Sequence, residues 1–179
     1  GQGACCPTLP VPHDCVGVTV AGTYTPVAGD FNGDGVDDVV WYAPGPTQDY
    51  LWQGTVYARF VGRALTVNGT GYEPVAGDFD GNGTDDILWY RPGDGRRDDR
   101  LWRGQRNGTF VSSTLDIRRT FHPVAADFNG DGHDDVFWYG DGTHRDFVWY
   151  GTRSSFESKE FVQPVAGLVP LAANYDGDE

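Results

Sequence analysis

Short apolar runs recur along this chain at a fixed distance and in constant company. Val39-Val40-Trp41-Tyr42, Ile87-Leu88-Trp89-Tyr90 and Val136-Phe137-Trp138-Tyr139 are apolar on both faces of an extended strand. Such a strand has to be covered on both sides, as an inner strand sandwiched between neighbouring sheets is. Turn residues follow each run: Ala43-Pro44-Gly45, Arg91-Pro92-Gly93 and Gly140-Asp141-Gly142. A second strand comes next, read at Asp49-Tyr50-Leu51-Trp52, Asp99-Arg100-Leu101-Trp102 and Asp146-Phe147-Val148-Trp149. Each then reaches a glycine (Gly54, Gly104, Gly151) and a more polar, alternating outer strand such as Thr109-Phe110-Val111-Ser112. No long amphipathic helix is evident. The pattern predicts an all-β chain built from units of about 48 residues, the length of a β-propeller blade.

The six tryptophans fall at equivalent positions, two per unit, which blade-to-blade packing requires; they are read as core and not as ligand platforms. Asp49, Asp99 and Asp146 stand at hairpin ends, where Asx-type turn capping is their expected role.

Ahead of each apolar run lies an acidic loop: DFNGDGVDD at 30–38, DFDGNGTDD at 78–86 and DFNGDGHDD at 127–135, each preceded by Pro-Val-Ala-Gly or Pro-Val-Ala-Ala. Positions 1, 3, 5 and 9 carry oxygen donors: Asp30, Asn32, Asp34 and Asp38, then Asp78, Asp80, Asn82 and Asp86, then Asp127, Asn129, Asp131 and Asp135. Glycines at positions 4 and 6 let the backbone curl so that alternate side chains meet at one centre. The position-7 carbonyl of Val36, Thr84 or His133 can join them. An all-oxygen cage of three carboxylates and one amide suits Ca²⁺ far better than zinc or copper, and better than Mg²⁺, which demands regular geometry and keeps its waters.

An EF-hand has similar spacing but needs a bidentate Glu at position 12 between helices. Here position 12 is Trp41, Trp89 and Trp138 with β-type flanks, so that reading fails. Asp, Asn and Gly also make turns without metal. Three copies that keep the donors and vary position 7 favour a metal. Four carboxylates within nine residues would otherwise repel one another strongly. Position 8 (Asp37, Asp85, Asp134) is expected to be an outer-shell or strand-capping residue.

With 179 residues, 39% of them hydrophobic and 14% aromatic, the chain can bury a real core as one domain. The three loops hold 12 of its 26 acidic residues, so three bound Ca²⁺ would bring the net charge from −13 to −7. The acidity is largely local to the loops. There is no basic face to neutralise phosphates, which argues against nucleic acid. The basic residues Arg96, Arg97, Arg100, Arg118 and Arg119 are interrupted or adjoined by Asp98, Asp99 and Asp116, as in a solvated loop. No stretch approaches the roughly 20 apolar residues of a membrane span. No signal peptide is read either, so a mature or trimmed product is expected. Cys5, Cys6 and Cys15 lie in a proline-rich opening segment. Cys15 bridged to Cys5 or Cys6 would staple it, leaving one cysteine for another partner; a Cys/His site using His13 is the alternative. Cysteines and calcium together point outside the cell.

PVAGDFNGDGVDDVVWYAPG and its copies resemble FG-GAP (VCBS-type) repeats, known from integrin α-subunit propellers and many secreted bacterial proteins. The resemblance covers roughly residues 19–179 and leaves 1–18 as a cysteine- and proline-rich arm. It implies a β-propeller, usually seven-bladed, whose loops bind Ca²⁺ through positions 1, 3, 5, the position-7 carbonyl and 9. The Ala-Pro of the motif survives only at Ala43-Pro44, which loosens the analogy with adhesion receptors. Pro170 to Asp178 aligns with Pro123 to Asp131, 47 residues on, and offers Asn174, Asp176 and Asp178 as an incomplete fourth site. Three units and the start of a fourth do not close a ring, so a longer chain or an assembly of chains is expected to complete it.

The expected function is a secreted calcium-binding module that recognises an extracellular ligand, carbohydrate first. A protein-binding adhesion module and a non-catalytic accessory domain of a hydrolase or lyase are the alternatives. Catalysis is not expected: there is no G-x-S-x-G elbow, the five serines lie in plain loops, and the acidic residues are committed as ligands. His122, His133 and His144 occur in the third unit only and are read as surface or turn residues.

Overall fold

The computed structural model describes residues 19–57, 59–93, 98–140 and 145–161. The cysteine segment with Cys5, Cys6, His13 and Cys15 lies outside these residues, as do Arg96, Arg97, His144 and the candidate fourth site at Asn174, Asp176 and Asp178. Twelve strands are formed among them: β1 (Thr25–Gly29), β2 (Asp38–Tyr42), β3 (Asp49–Thr55), β4 (Arg59–Leu65), β5 (Glu73–Gly77), β6 (Asp86–Tyr90), β7 (Asp99–Gly104), β8 (Phe110–Leu115), β9 (Phe121–Ala126), β10 (Asp135–Gly140), β11 (Asp146–Gly151) and β12 (Phe156–Phe161). They make three antiparallel four-stranded sheets in simple order, β1-β2-β3-β4, β5-β6-β7-β8 and β9-β10-β11-β12. These are three blades of a propeller-like all-β fold. No helix in the described residues is long and apolar enough to cross a membrane.

The strand preceding each acidic loop is one the apolar pattern does not single out. It carries Pro26, Pro74 or Pro123, which cannot donate to a ladder, and it is an edge strand paired on one side only. Its pairing ends at Gly29↔Asp38 in blade 1 and Gly77↔Asp86 in blade 2, so each acidic loop is the connection between the two innermost strands. β1 lies beside β5 and β5 beside β9, which sets the three loops side by side.

The double-faced apolar strand of the middle blade is covered as expected, with every residue of β6 buried; β10 is buried except for half-buried Phe137, and β2, in the first blade, buries Val40 and Tyr42 but only half-buries Val39 and Trp41. One core cluster lies between blades 1 and 2 and contains Phe31, Val40, Tyr42, Ile87, Trp89 and Trp102. Its counterpart between blades 2 and 3 contains Phe79, Leu88, Tyr90, Val136 and Trp138. Each interface uses the same aromatic chain. Trp89 meets Trp102 at 5.2 Å between ring centroids and Tyr42 of the preceding blade at 5.2 Å; Trp138 meets Trp149 at 5.2 Å and Tyr90 at 5.1 Å. Edge-to-face contacts of this kind add to what burial alone contributes. The core reading of the tryptophans holds for these pairs.

Asp49 and Asp99 reach further than turn capping. Asp49 is buried and accepts from Ala43 N and Val67 N, both at 2.8 Å; Asp99 accepts from Arg91 N at 2.8 Å and Ile117 N at 2.9 Å. Each carboxylate ties the β2–β3 or β6–β7 turn to the segment leaving the outer strand. Asp146 repeats the first half of this, accepting from Gly140 N at 2.9 Å.

Candidate metal centres

Each loop is organised by its first aspartate. Asp30 Oδ1 accepts from Gly33 N at 2.7 Å and Asp34 N at 3.1 Å, and its Oδ2 from Gly35 N at 2.7 Å. Asp78 repeats this with Asn82 N and Gly83 N, and Asp127 with Gly130 N, Asp131 N and Gly132 N. The curl requires positive φ at positions 4 and 6, +70° and +82° in loop 1, which glycine adopts without a side-chain clash. Position 5 caps the next turn: Asp34, Asn82 and Asp131 accept from Val36 N, Thr84 N and His133 N, all at 2.9 Å.

The last aspartate of each loop is fully buried and anchored from the strand behind it. Gly54 N donates to Asp38 Oδ1, Gly104 N to Asp86 Oδ1 and Gly151 N to Asp135 Oδ1, each at 2.9 Å. The second oxygen is thereby aimed at the loop. In loop 2 the result is a cluster in which Asp78, Asp80 and Asp86 bring one oxygen each to within 4.8 Å of one another, a group that could hold a metal ion. Loops 1 and 3 have Asn32 and Asn129 where loop 2 has Asp80, so the matching group there is two carboxylates and an amide.

Two oxygens of the loop 2 cluster residues are buried without a hydrogen-bond partner, Asp80 Oδ1 and Asp86 Oδ2. A buried acceptor left unpaired is costly, and a cation held by this cluster would satisfy both. In loop 1 Asn32 Oδ1 is likewise buried and unpartnered, while its Nδ2 donates to Asp38 Oδ2 at 3.5 Å. Electrostatics agree. Burial, with Asp80 and Asp78 alongside, pushes the Asp86 carboxyl up to about 8. Burial, with Asp34 and Asp30 alongside, pushes Asp38 up to about 6. Desolvation chiefly raises Asp80 and Asp135 as well. Arg103 Nε, 3.5 Å from Asp80 Oδ2, offsets only part of this charge. The residues present therefore fit a hard divalent cation: carboxylate and amide oxygens at positions 1, 3, 5 and 9 would hold it, with the carbonyl of position 7 to hand.

Loop 3 is drawn differently. Asn129 Nδ2 donates to Asp131 Oδ2 at 3.0 Å, and Phe128 N donates to Asp135 Oδ2 at 3.0 Å. Asp127, Phe128, Asn129 and Asp131 are all exposed, while the aromatics equivalent to Phe128 are buried. His133 stacks its Nδ1 3.1 Å from Asp131 Oδ1, a local turn contact in keeping with the sequence reading.

Position 8 has a role beyond strand capping. Asp30 N donates to Asp85 Oδ2 of the next blade at 2.8 Å, and Asp85 N returns a bond to Asp30 O at 2.8 Å. Asp134 clasps blade 2 in the same manner through Asp78 N and Asp78 O, both at 2.9 Å. The first aspartate of one loop is thus fixed by the eighth position of the following loop. Glycine makes room for it: a Cβ on Gly29 would lie 2.6 Å from Asp85 Oδ2, and one on Gly77 2.7 Å from Asp134 Oδ2. The corresponding residue of blade 3 is Ala126. Only the interrupted Pro-Val-Ala-Gly signature hinted at this in the sequence, since the contact spans 55 residues.

Residues 22–58 match the FG-GAP repeat family and residues 78–138 the FG-GAP-like repeat family. No curated protein matches the chain.

Proposed function

We propose, for a chain that carries FG-GAP repeats in propeller-like blades, that it is a secreted calcium-binding module that recognises an extracellular ligand and performs no catalysis. The observation that carries the metal is the loop 2 cluster of Asp78, Asp80 and Asp86, in which Asp80 Oδ1 and Asp86 Oδ2 are buried without a hydrogen-bond partner. Calcium is assigned to the loops 30–38, 78–86 and 127–135, with Val36, Thr84 and His133 contributing carbonyls. FG-GAP repeats often bind Ca²⁺, which supports the choice of ion. Its role is structural: it neutralises a knot of carboxylates and stiffens the turn that the next blade grips.

Carbohydrate is the ligand class we favour, because aromatic and hydroxyl side chains meet in a groove between blades 1 and 2; a protein ligand in adhesion is the second reading. Residues 1–18 are assigned as a separate cysteine- and proline-rich arm, and further blades, from a longer polypeptide or a second copy, as what completes the propeller.

Thermal melts of the purified chain with and without EGTA test the metal. Occupancy at a hundred times Kd stabilises a site by about 2.7 kcal/mol, or on the order of 5–10 °C for a chain of this size. Replacing Asp78 and Asp86 together by Ala is expected to remove a comparable share and to leave a smaller response to chelation. An EGTA melt identical to the calcium melt would sink the assignment. A glycan array blank throughout, beside a protein pull-down that works, would reverse the order of ligand classes.

A further inference from the structure

The groove between the outer strands of blades 1 and 2 breaks the repeat. It has a volume of about 270 Å³ and is lined by Arg63 and Leu65 of β4, Arg100 and Trp102 of β7, and Phe110 and Ser112 of β8, with Asn68 at one end. Arg100 lies opposite Trp89 in the β6–β7 ladder; at the same register the other blades place Tyr50 opposite Trp41 and Phe147 opposite Trp138. Arg63 lies opposite Leu51, and its counterpart at the next junction is Ser113, opposite Leu101. Blade packing therefore needs neither arginine, and the two occur together at one junction only.

Among the described residues their charge is not paired. Arg91, Arg103, Arg118 and Arg145 each face a carboxylate. Arg63 and Arg100 face none among the described residues. Arg63 donates one Nη2 bond to the Gly108 carbonyl across the junction, which holds its planar fork in the groove and leaves its other N–H groups available. Both side chains belong to half-buried residues, where a charge-assisted pair is stronger than on open surface. On a chain of net charge −13, two uncompensated guanidiniums in one cleft select an anion.

The rest of the lining says what kind. Trp102 and Phe110, 5.4 Å apart between centroids, give an aromatic wall, and Ser112 and Asn68 can exchange hydrogen bonds with hydroxyls. The volume suits one sugar ring and no more. We infer that this groove binds a carboxylate-bearing sugar residue, a uronate, with the carboxylate on Arg63 and Arg100 and the ring against Phe110 and Trp102. The inference rests on the carbohydrate reading above and assigns its site and charge.

The test is calorimetric titration of the calcium-loaded full chain with glucuronate, galacturonate, glucose, galactose and acetate. The substitutions Arg100→Phe and Arg63→Ser install the residues that other blades carry at these registers, so the fold is expected to keep its melting temperature. Uronates are expected to bind at least tenfold more tightly than neutral hexoses or acetate, and each substitution to weaken uronate binding by at least tenfold. Equal binding of hexoses, or substitutions without effect, overturn the groove assignment while leaving the carbohydrate reading intact. Acetate binding as tightly as the uronates overturns the sugar and leaves a bare anion site. No binding by any sugar, here or on an array, overturns both.

Discussion

Asp86 shows what nine crowded residues do to one carboxyl. It is wholly buried, bonded on one oxygen and bare on the other, and desolvation together with Asp80 and Asp78 lifts it from 3.8 to about 8. Asp38 rises to about 6 for the same reasons. In metal-free protein these groups retain protons that the unfolded chain has already released. The folded state then binds more protons between about pH 4 and 8, and stability falls as pH rises through that window. Asp127 and Asp131 are lowered instead, but both oppose this only below their ordinary value of 3.8. The melting temperature in EGTA is therefore expected to drop from pH 5 to pH 8.5. With saturating Ca²⁺ the drop should vanish or invert, because the ion takes the place of the protons. Melts in EGTA that climb with pH would show that these carboxyls are not held protonated in the fold.

At the scale of strands and turns, close approach decides which glycines are indispensable. A Cβ on Gly104 would lie 2.2 Å from the Asp85 carbonyl oxygen, and one on Gly54 2.3 Å from that of Asp37. Gly35 has φ +82° with nothing within 4 Å of its missing Cβ. Gly35→Ala should cost only backbone strain, about 1–2 kcal/mol. Gly104→Ala has to displace backbone and should cost more, about 3 kcal/mol; urea denaturation compares the two, and equal losses would contradict the packing. Much at this scale was legible beforehand. The runs at 87–90 and 136–139 are strands buried on both faces apart from half-buried Phe137; the run at 39–42 buries Val40 and Tyr42 and leaves Val39 and Trp41 half-buried; and the acidic connections lie where their spacing put them. What was not legible is long-range. Asp85 reads as a strand cap until the Asp30 amide arrives from another blade, and Asp49 as a local turn until Val67 N is added. The proline-bearing strands β1, β5 and β9 escaped because their pairing on one side only comes from the sheet, not from an apolar pattern.

Across the whole molecule the two blade junctions share one aromatic packing, and residues outside them behave accordingly. Phe31 and Phe79 are 0% and 1% exposed because Phe110 and Phe156 of the following blade cover them; Phe128, in the same place on blade 3, is 46% exposed. Phe79→Ala should cost about 3–5 kcal/mol, and Phe128→Ala below about 1 kcal/mol, in chemical denaturation of this chain. A Phe128→Ala loss as large as that of Phe79→Ala would mean that something already covers blade 3. At the other end Tyr50 is 37% exposed beside Trp41 and Trp52, the side that Arg100 and its neighbours present to blade 1. Such nearest-neighbour dependence makes stability a sum over blades and junctions.

Both junctions share the aspartate clasp, but blade 3 offers a different seat for one. Gly29 and Gly77 leave an empty seat for a carboxylate oxygen from the next blade; Ala126 fills that seat with a methyl group. An aspartate reaching blade 3 as Asp85 reaches blade 1 and Asp134 reaches blade 2 would have to swing its carboxylate aside from that methyl group. Near-identical repeats are prone to shuffle, and a single carbon atom makes one seat of the series unlike the other two.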